Sequence, residues 1–147
     1  MSKYKEIIIH TSDSIHGSAT AIRAWHRMRG WIDIGYHFVI LNGLLEKNLL
    51  IKSMNGMIEY GRPINITPAS VKGHNVGTIA IVLIGKHGKY TKEQFESLFS
   101  LVRELMKKYD IGIKSVKGHY ELDPHKTCPN IDMDKFRTAL EVLENGD

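Results

Sequence analysis

Apolar positions along the chain fall into short unbroken runs and longer periodic stretches. Residues 5–9 hold three consecutive isoleucines, Ile7, Ile8 and Ile9, a run that predicts a buried strand ending at His10. A polar loop follows, from Thr11 to Ser18. From Thr20 to about Arg29, Ile22, Trp25 and Met28 recur at helical spacing, Arg23, Arg27 and Arg29 take the other face, and Gly30 supplies a stop. Gly35 to Leu41 reads as a second strand, Met57 to Tyr60 as a third and Ile79 to Ile84 as a fully buried fourth. Between the second and third, Asn42 to Asn55 shows little pattern beyond Leu44, Leu45, Leu49, Leu50 and Ile51, and reads as a loop or short helical insert.

The clearest helix opens at Thr91, with Glu93 and Gln94 behind it as a capping signal and Phe95, Leu98, Phe99, Val102, Leu105 and Met106 on one face. Ser115 to Lys117 is a short strand that delivers His119. Pro124 and Pro129 keep residues 121–130 irregular, and a last helix runs from about Asp132 to Leu143. The order β, α, β, β, β, α, β, α predicts an α/β fold, a single domain over residues 1–147 with a central mixed β-sheet flanked by helices.

Composition narrows the class. A chain of 147 residues buries roughly two thirds of its unfolded surface on folding, and 42% hydrophobic with 24% charged residues excludes a disordered chain. The net charge of +4 favours anionic partners, but no run of five or six cations gathers it, so nucleic acid is not expected as a partner while an anionic cell wall fits. The apolar stretch after the N-terminal lead is too short for a signal-peptide core or a membrane span, so no membrane insertion and no signal peptide are expected. A single cysteine, Cys128, rules out an internal disulfide and leaves a free thiol, a nucleophile or a metal ligand, consistent with synthesis in a reducing cytosol. A monomer is expected.

His10, His119 and Cys128 together could hold zinc, which takes imidazole and thiolate and in catalytic sites keeps three protein ligands beside a water. On spacing alone that set competes with surface or core histidines and with a small buried cysteine. The text around each residue adds more. Ile-Ile-Ile-His-Thr-Ser at 7–12, Gly-Tyr-His-Phe-Val-Ile at 35–40, Gly-His-Asn at 73–75, Lys-Gly-His-Tyr-Glu-Leu at 117–122 and Lys-Thr-Cys-Pro at 126–129 follow one another in that order, with Trp25-His26 and Gly30-Trp31 between the first two.

In these motifs, from Lys5 to Leu140, the chain resembles the type 2 N-acetylmuramoyl-L-alanine amidases, which share a fold with peptidoglycan recognition proteins, and among them the small phage endolysins. The resemblance implies zinc held by His10, His119 and Cys128, with Tyr36 and Lys126 as catalytic helpers and peptidoglycan, through its muramyl peptide, as substrate. It also implies collection in the host cytoplasm until another factor opens the membrane. His74 and Asn75 fall where the family places part of the substrate groove. On chemical grounds Lys126 suits charge developing on the scissile carbonyl oxygen, and Tyr36 can hold water or substrate or relay a proton.

Glu121 is a candidate to orient a ligand imidazole, with a solvated loop carboxylate as the plainer alternative. His37 alternates to the sheet face opposite Tyr36 and reads as a hydrogen-bonded core histidine; His16, His26, His87 and His125 read as surface or packing residues. Two departures from the family pattern stand out. Ser70, in Pro68-Ala69-Ser70, replaces a histidine that would line the groove, and the 42–55 stretch is about ten residues longer than the usual tight connection, a length that costs little entropy. Two rival readings remain: a module of the same fold that binds muropeptide without cutting it, and a cysteine hydrolase built on Cys128 and His119.

Overall fold

The computed structural model describes residues 3–146; Met1, Ser2 and Asp147, which the one-domain reading includes, lie outside the described residues. Five strands and three helices follow in the expected order: β1 (Glu6–Thr11), α1 (Ala19–Met28), β2 (Phe38–Glu46), β3 (Leu49–Tyr60), β4 (Thr78–Leu83), α2 (Lys92–Tyr109), β5 (Val116–Gly118) and α3 (Met133–Asn145). They form one sheet of order β3-β2-β4-β1-β5, in which only β2 and β3 run antiparallel. The mixed sheet flanked by helices is the predicted fold.

Strands β1 and β4 are the centre of the sheet, and their continuous isoleucine and valine runs follow from burial on both faces. Strand alternation sends Ile7, Ile9, Phe38, Ile40, Ile79 and Ile81 to one face, where α2 and α3 pack with Leu98, Val102, Phe136 and Leu140. The other face carries Val39, Leu41, Val82 and Ile84 against Ala19 and Ile22 of α1. His10 sits on this second face, which α1 covers less completely. The site therefore opens on the side with one helix.

Helix α2 is held to the sheet by more than apolar contact. Thr91 caps its first turn and Gln94 closes the capping box. The Gln94 side chain is fully buried, and its Nε2 donates to the carbonyls of Ile40 at 3.0 Å and Ile84 at 2.8 Å, so one amide serves the helix end, β2 and the residue that follows β4.

Two expectations are overturned. Residues 42–55 are not a loop or helical insert: they are the outer part of a long β2–β3 hairpin closed by Lys47 and Asn48. Register shifts occur between Ile40 and Asn42, between Asn42 and Leu44, and between Leu44 and Glu46, while Gly43 and Gly56 adopt φ of 89° and 87°. Each such irregularity breaks the period of two by which a strand is recognised. In α1, Met28 is 85% exposed rather than apolar-face, and the buried line is Ala19, Ile22 and His26. The polar His26 takes the inward place because the Gly35 amide needs an acceptor there, which His26 Nδ1 supplies at 2.9 Å.

Gln94→Ala takes the side-chain donor from the buried Ile84 carbonyl, leaves the Ile40 carbonyl with only the Ile84 amide, and removes the capping box. The expected loss is about 2–3 kcal/mol of unfolding free energy, read from the urea midpoint at unchanged slope.

Candidate metal centre and cleft

Parallel pairing of β1 with β5 aligns Ile9 with Gly118, so the next residues, His10 and His119, emerge side by side at the ends of adjacent strands. Their rings lie 4.9 Å apart between centroids. Cys128 arrives from the irregular segment after β5, and two backbone bonds tie it to both arms: the Thr11 amide donates to its Sγ at 3.1 Å, and the Tyr120 amide donates to its carbonyl at 2.8 Å. The nitrogen and sulfur donors of His10, His119 and Cys128 all lie within 4.8 Å of one another, close enough for one metal ion to span.

The donor set fits a metal on its own chemistry. His10 is 1% exposed, its Nε2 is buried with no hydrogen-bond partner, and its Nδ1 lies 3.9 Å from Cys128 Sγ. Burial, with the His119 charge second, brings the His10 pKa down to about 3, so the ring stays neutral with a lone pair to give. Burial also lowers His119, and the Lys126 ammonium adds to this. The Cys128 thiol is pushed up to about 11 by burial, against the pull of the Thr11 amide and Lys126. A cation among these three groups relieves a thiol that is otherwise costly to ionise.

The triad lies in a cleft of about 720 Å³ whose walls include Tyr36, Trp31, Ser70, Lys72 and Lys126. Tyr36 stands 5.0 Å from His10 between ring centroids and 5.5 Å from His26, and burial raises its phenol well above the ordinary tyrosine range. Lys126 is exposed at the rim. A second apolar groove of about 790 Å³ lies between α2 and α3, and none of these groups lines it.

The remaining sequence candidates fall elsewhere. His74 is exposed and, like Asn75, is not part of the cleft lining. Asn75 Oδ1 accepts from the amides of Ser70 and Val71, both at 2.9 Å, and so shapes the loop that brings Ser70 and Lys72 to the cleft. Glu121 bonds Arg137 through both oxygens and accepts from the Gly118 amide at 3.0 Å. His37 is buried between the Ala80 amide and the Ile66 carbonyl, and it lines a pocket with Leu101 and Leu105 of α2 rather than the cleft.

Sequence reasoning missed Arg29, His87, His125 and Asp123 as cleft residues. They sit on turns, where no periodicity reports direction; adjacency to Gly30-Trp31 and to Lys126 was the available signal for Arg29 and His125.

The model of the family described as N-acetylmuramoyl-L-alanine amidase matches residues 2–131. The chain belongs to this amidase family. Its relatives include the endolysin of Escherichia phage T7, 31% identical over 147 residues, spanning 93% of this chain and 87% of the phage protein. Among solved structures, the amidase LysC from Clostridium intestinale superposes with a TM-score of 0.79 at 28% identity, covering 95% of this chain and 87% of LysC. Drosophila PGRP-LB, at 25% identity and a TM-score of 0.69, covers 88% and 76%. This amidase-family chain thus shares its fold with both phage enzymes and peptidoglycan recognition proteins, and among its described residues no helix is long and apolar enough to cross a membrane.

His26 gives the site a pH dependence separate from the triad. Burial, with Arg29 and Arg62 in support, lowers its folded pKa to about 4 from 6.5, and protonation breaks its bond from Gly35. The unfolded chain therefore binds the extra proton between these values. Stability is full above pH 6.5 and falls as pH drops towards 4, by up to about 3 kcal/mol from this group. His10, His37 and His119 are lowered in the same direction, so the His26 share is read as a difference: between pH 7 and pH 4.5, His26→Asn, which keeps an acceptor for Gly35, is expected to lose less unfolding free energy in urea than wild type.

Proposed function

We propose that the protein is a zinc-dependent N-acetylmuramoyl-L-alanine amidase that hydrolyses the amide between the lactyl group of muramic acid and L-alanine in bacterial peptidoglycan, in the manner of a phage endolysin. The observation that carries this reading is the convergence of two neutral imidazoles and one thiol on a single point of a cleft, in a chain of the amidase family.

Zinc held by His10, His119 and Cys128 supplies a water acidified towards neutral pH and a Lewis acid for the scissile carbonyl. The chain's own groups divide the rest of the work. Tyr36, with its phenol kept protonated by burial, presents a hydrogen-bond donor beside His10 and can pass a proton towards the leaving amine. Lys126, an ammonium on the same cleft wall, suits the carbonyl oxygen as it gains negative charge. Trp31 offers an apolar face to the peptide or sugar.

The thiol of Cys128 argues against a cysteine hydrolase. Such a nucleophile needs a depressed pKa and a hydrogen-bonded base, whereas burial pushes this half-buried thiol up to about 11 and, among the described residues, no hydrogen bond joins it to His119. The host-cytoplasm and monomer expectations belong to this reading as well.

Purified peptidoglycan treated with zinc-loaded protein is expected to release stem peptides with a free L-alanine amine, identified by mass spectrometry. Chelation or Cys128→Ala is expected to abolish release. Tyr36→Phe and Lys126→Met should each lower kcat about 100-fold or more while zinc remains bound. Muropeptide that binds but stays intact with zinc-loaded wild type overturns the enzyme reading in favour of a recognition module, and activity that survives chelation but not thiol alkylation restores the cysteine hydrolase.

A further inference from the structure

Arg137 reaches from α3 to the end of β5. Its Nη1 donates to the Val116 carbonyl at 2.8 Å and to Glu121 Oε1 at 2.7 Å, and its Nη2 donates to Glu121 Oε2 at 2.8 Å and Asp134 Oδ1 at 3.0 Å. Glu121 Oε1 also accepts from the Gly118 amide at 3.0 Å. The guanidinium and carboxylate thus bond the backbone at Val116 and Gly118, while Glu121 itself ends the short 3₁₀ turn His119–Glu121. His119 lies inside the segment that this pair closes.

The geometry differs from that of an ordinary surface ion pair. The two side chains are only 18% and 24% exposed, the contact is two-pronged, and further bonds tie it to the Val116 carbonyl, the Gly118 amide and Asp134 Oδ1. A planar fork of this kind fixes direction as well as distance, which a lysine ammonium does not. A metal ligand has to be held within a fraction of an ångström, so a brace on the backbone beside it acts on affinity. The same turn also reaches the third ligand, because the Tyr120 amide donates to the Cys128 carbonyl at 2.8 Å.

We propose that Arg137 and Glu121 are a positioning pair for the metal centre. They set the backbone from which His119 projects and, through Tyr120, that of Cys128, without contacting the ion. Loss of the pair weakens metal binding beyond any loss of global stability. This inference rests on the metal reading of the His10, His119 and Cys128 site.

The test uses the full chain as wild type, Arg137→Ala, Arg137→Lys, Glu121→Ala and, as a control, Arg103→Ala. Arg103 bonds Glu144 in the last turn of α3, so its loss removes an ion pair from the same helix at the end away from β5. Cobalt titration, read by thiolate-to-cobalt absorption, and zinc competition against a chromophoric chelator give affinities, and urea unfolding of the metal-free proteins gives stability. The alanine variants at 137 and 121 are expected to bind zinc about 10–100-fold more weakly, with a smaller loss for lysine at 137 and none for Arg103→Ala. Folded variants with wild-type affinity, or an equal loss in Arg103→Ala, overturn the positioning role. If Arg137→Ala does not fold, Arg137→Lys and Glu121→Ala decide the question. Wild type that binds neither metal overturns the metal reading and the brace together, whereas wild type that binds with unaffected variants overturns the brace alone.

Discussion

The parallel, in-register pairing of β1 with β5 is the constraint from which the rest of the site follows. Because Ile9 stands opposite Gly118, the two histidines that come next have no independent freedom of placement. Backbone hydrogen bonds set the spacing of the positions from which they project. Cys128 is then added by bonds to Thr11 and Tyr120, one on each of the two arms. The site is an extension of the sheet's ladder, and its precision is borrowed from a core whose central strands are fully buried.

That dependence explains why one side of the sheet is heavily covered and the other is not. Helices α2 and α3 seal one face with Leu98, Val102, Phe136 and Leu140, and Gln94 pins α2 to β2 and the residue that follows β4 through polar bonds that a sliding helix could not keep. The opposite face has α1 alone, so room remains above His10 for a cleft. Burial of His10 and Tyr36 in that wall keeps one ring neutral and one phenol protonated.

Much of this was legible in the sequence. The isoleucine run of β1, the periodic face of α2 and the element order all reported their structure, because each is a local pattern enforced by burial. The three convergent residues were named from motif text, since spacing in sequence carries no information about the register that unites them. Failures came where pattern and structure part company. The hairpin escaped notice because its bulges at Gly43 and Gly56 scramble the alternation, and His26 because a buried acceptor reads like a surface histidine. Asn75 and Glu121 stood out as polar residues near the motifs, but their bonds to backbone amides, which no sequence pattern encodes, are visible only in the fold.

The hairpin has a further meaning for the architecture. Strand β3 forms one border of the sheet and β5 the other, with β2, β4 and β1 between them. The Lys47-Asn48 turn therefore hangs from the border remote from the histidine-bearing strands, and its chain length is uncoupled from their ladder. It is a natural grafting point: a peptide tag, a wall-anchoring module or a shorter turn can be exchanged there as a self-contained part, leaving the chemical end of the molecule to be inherited unchanged.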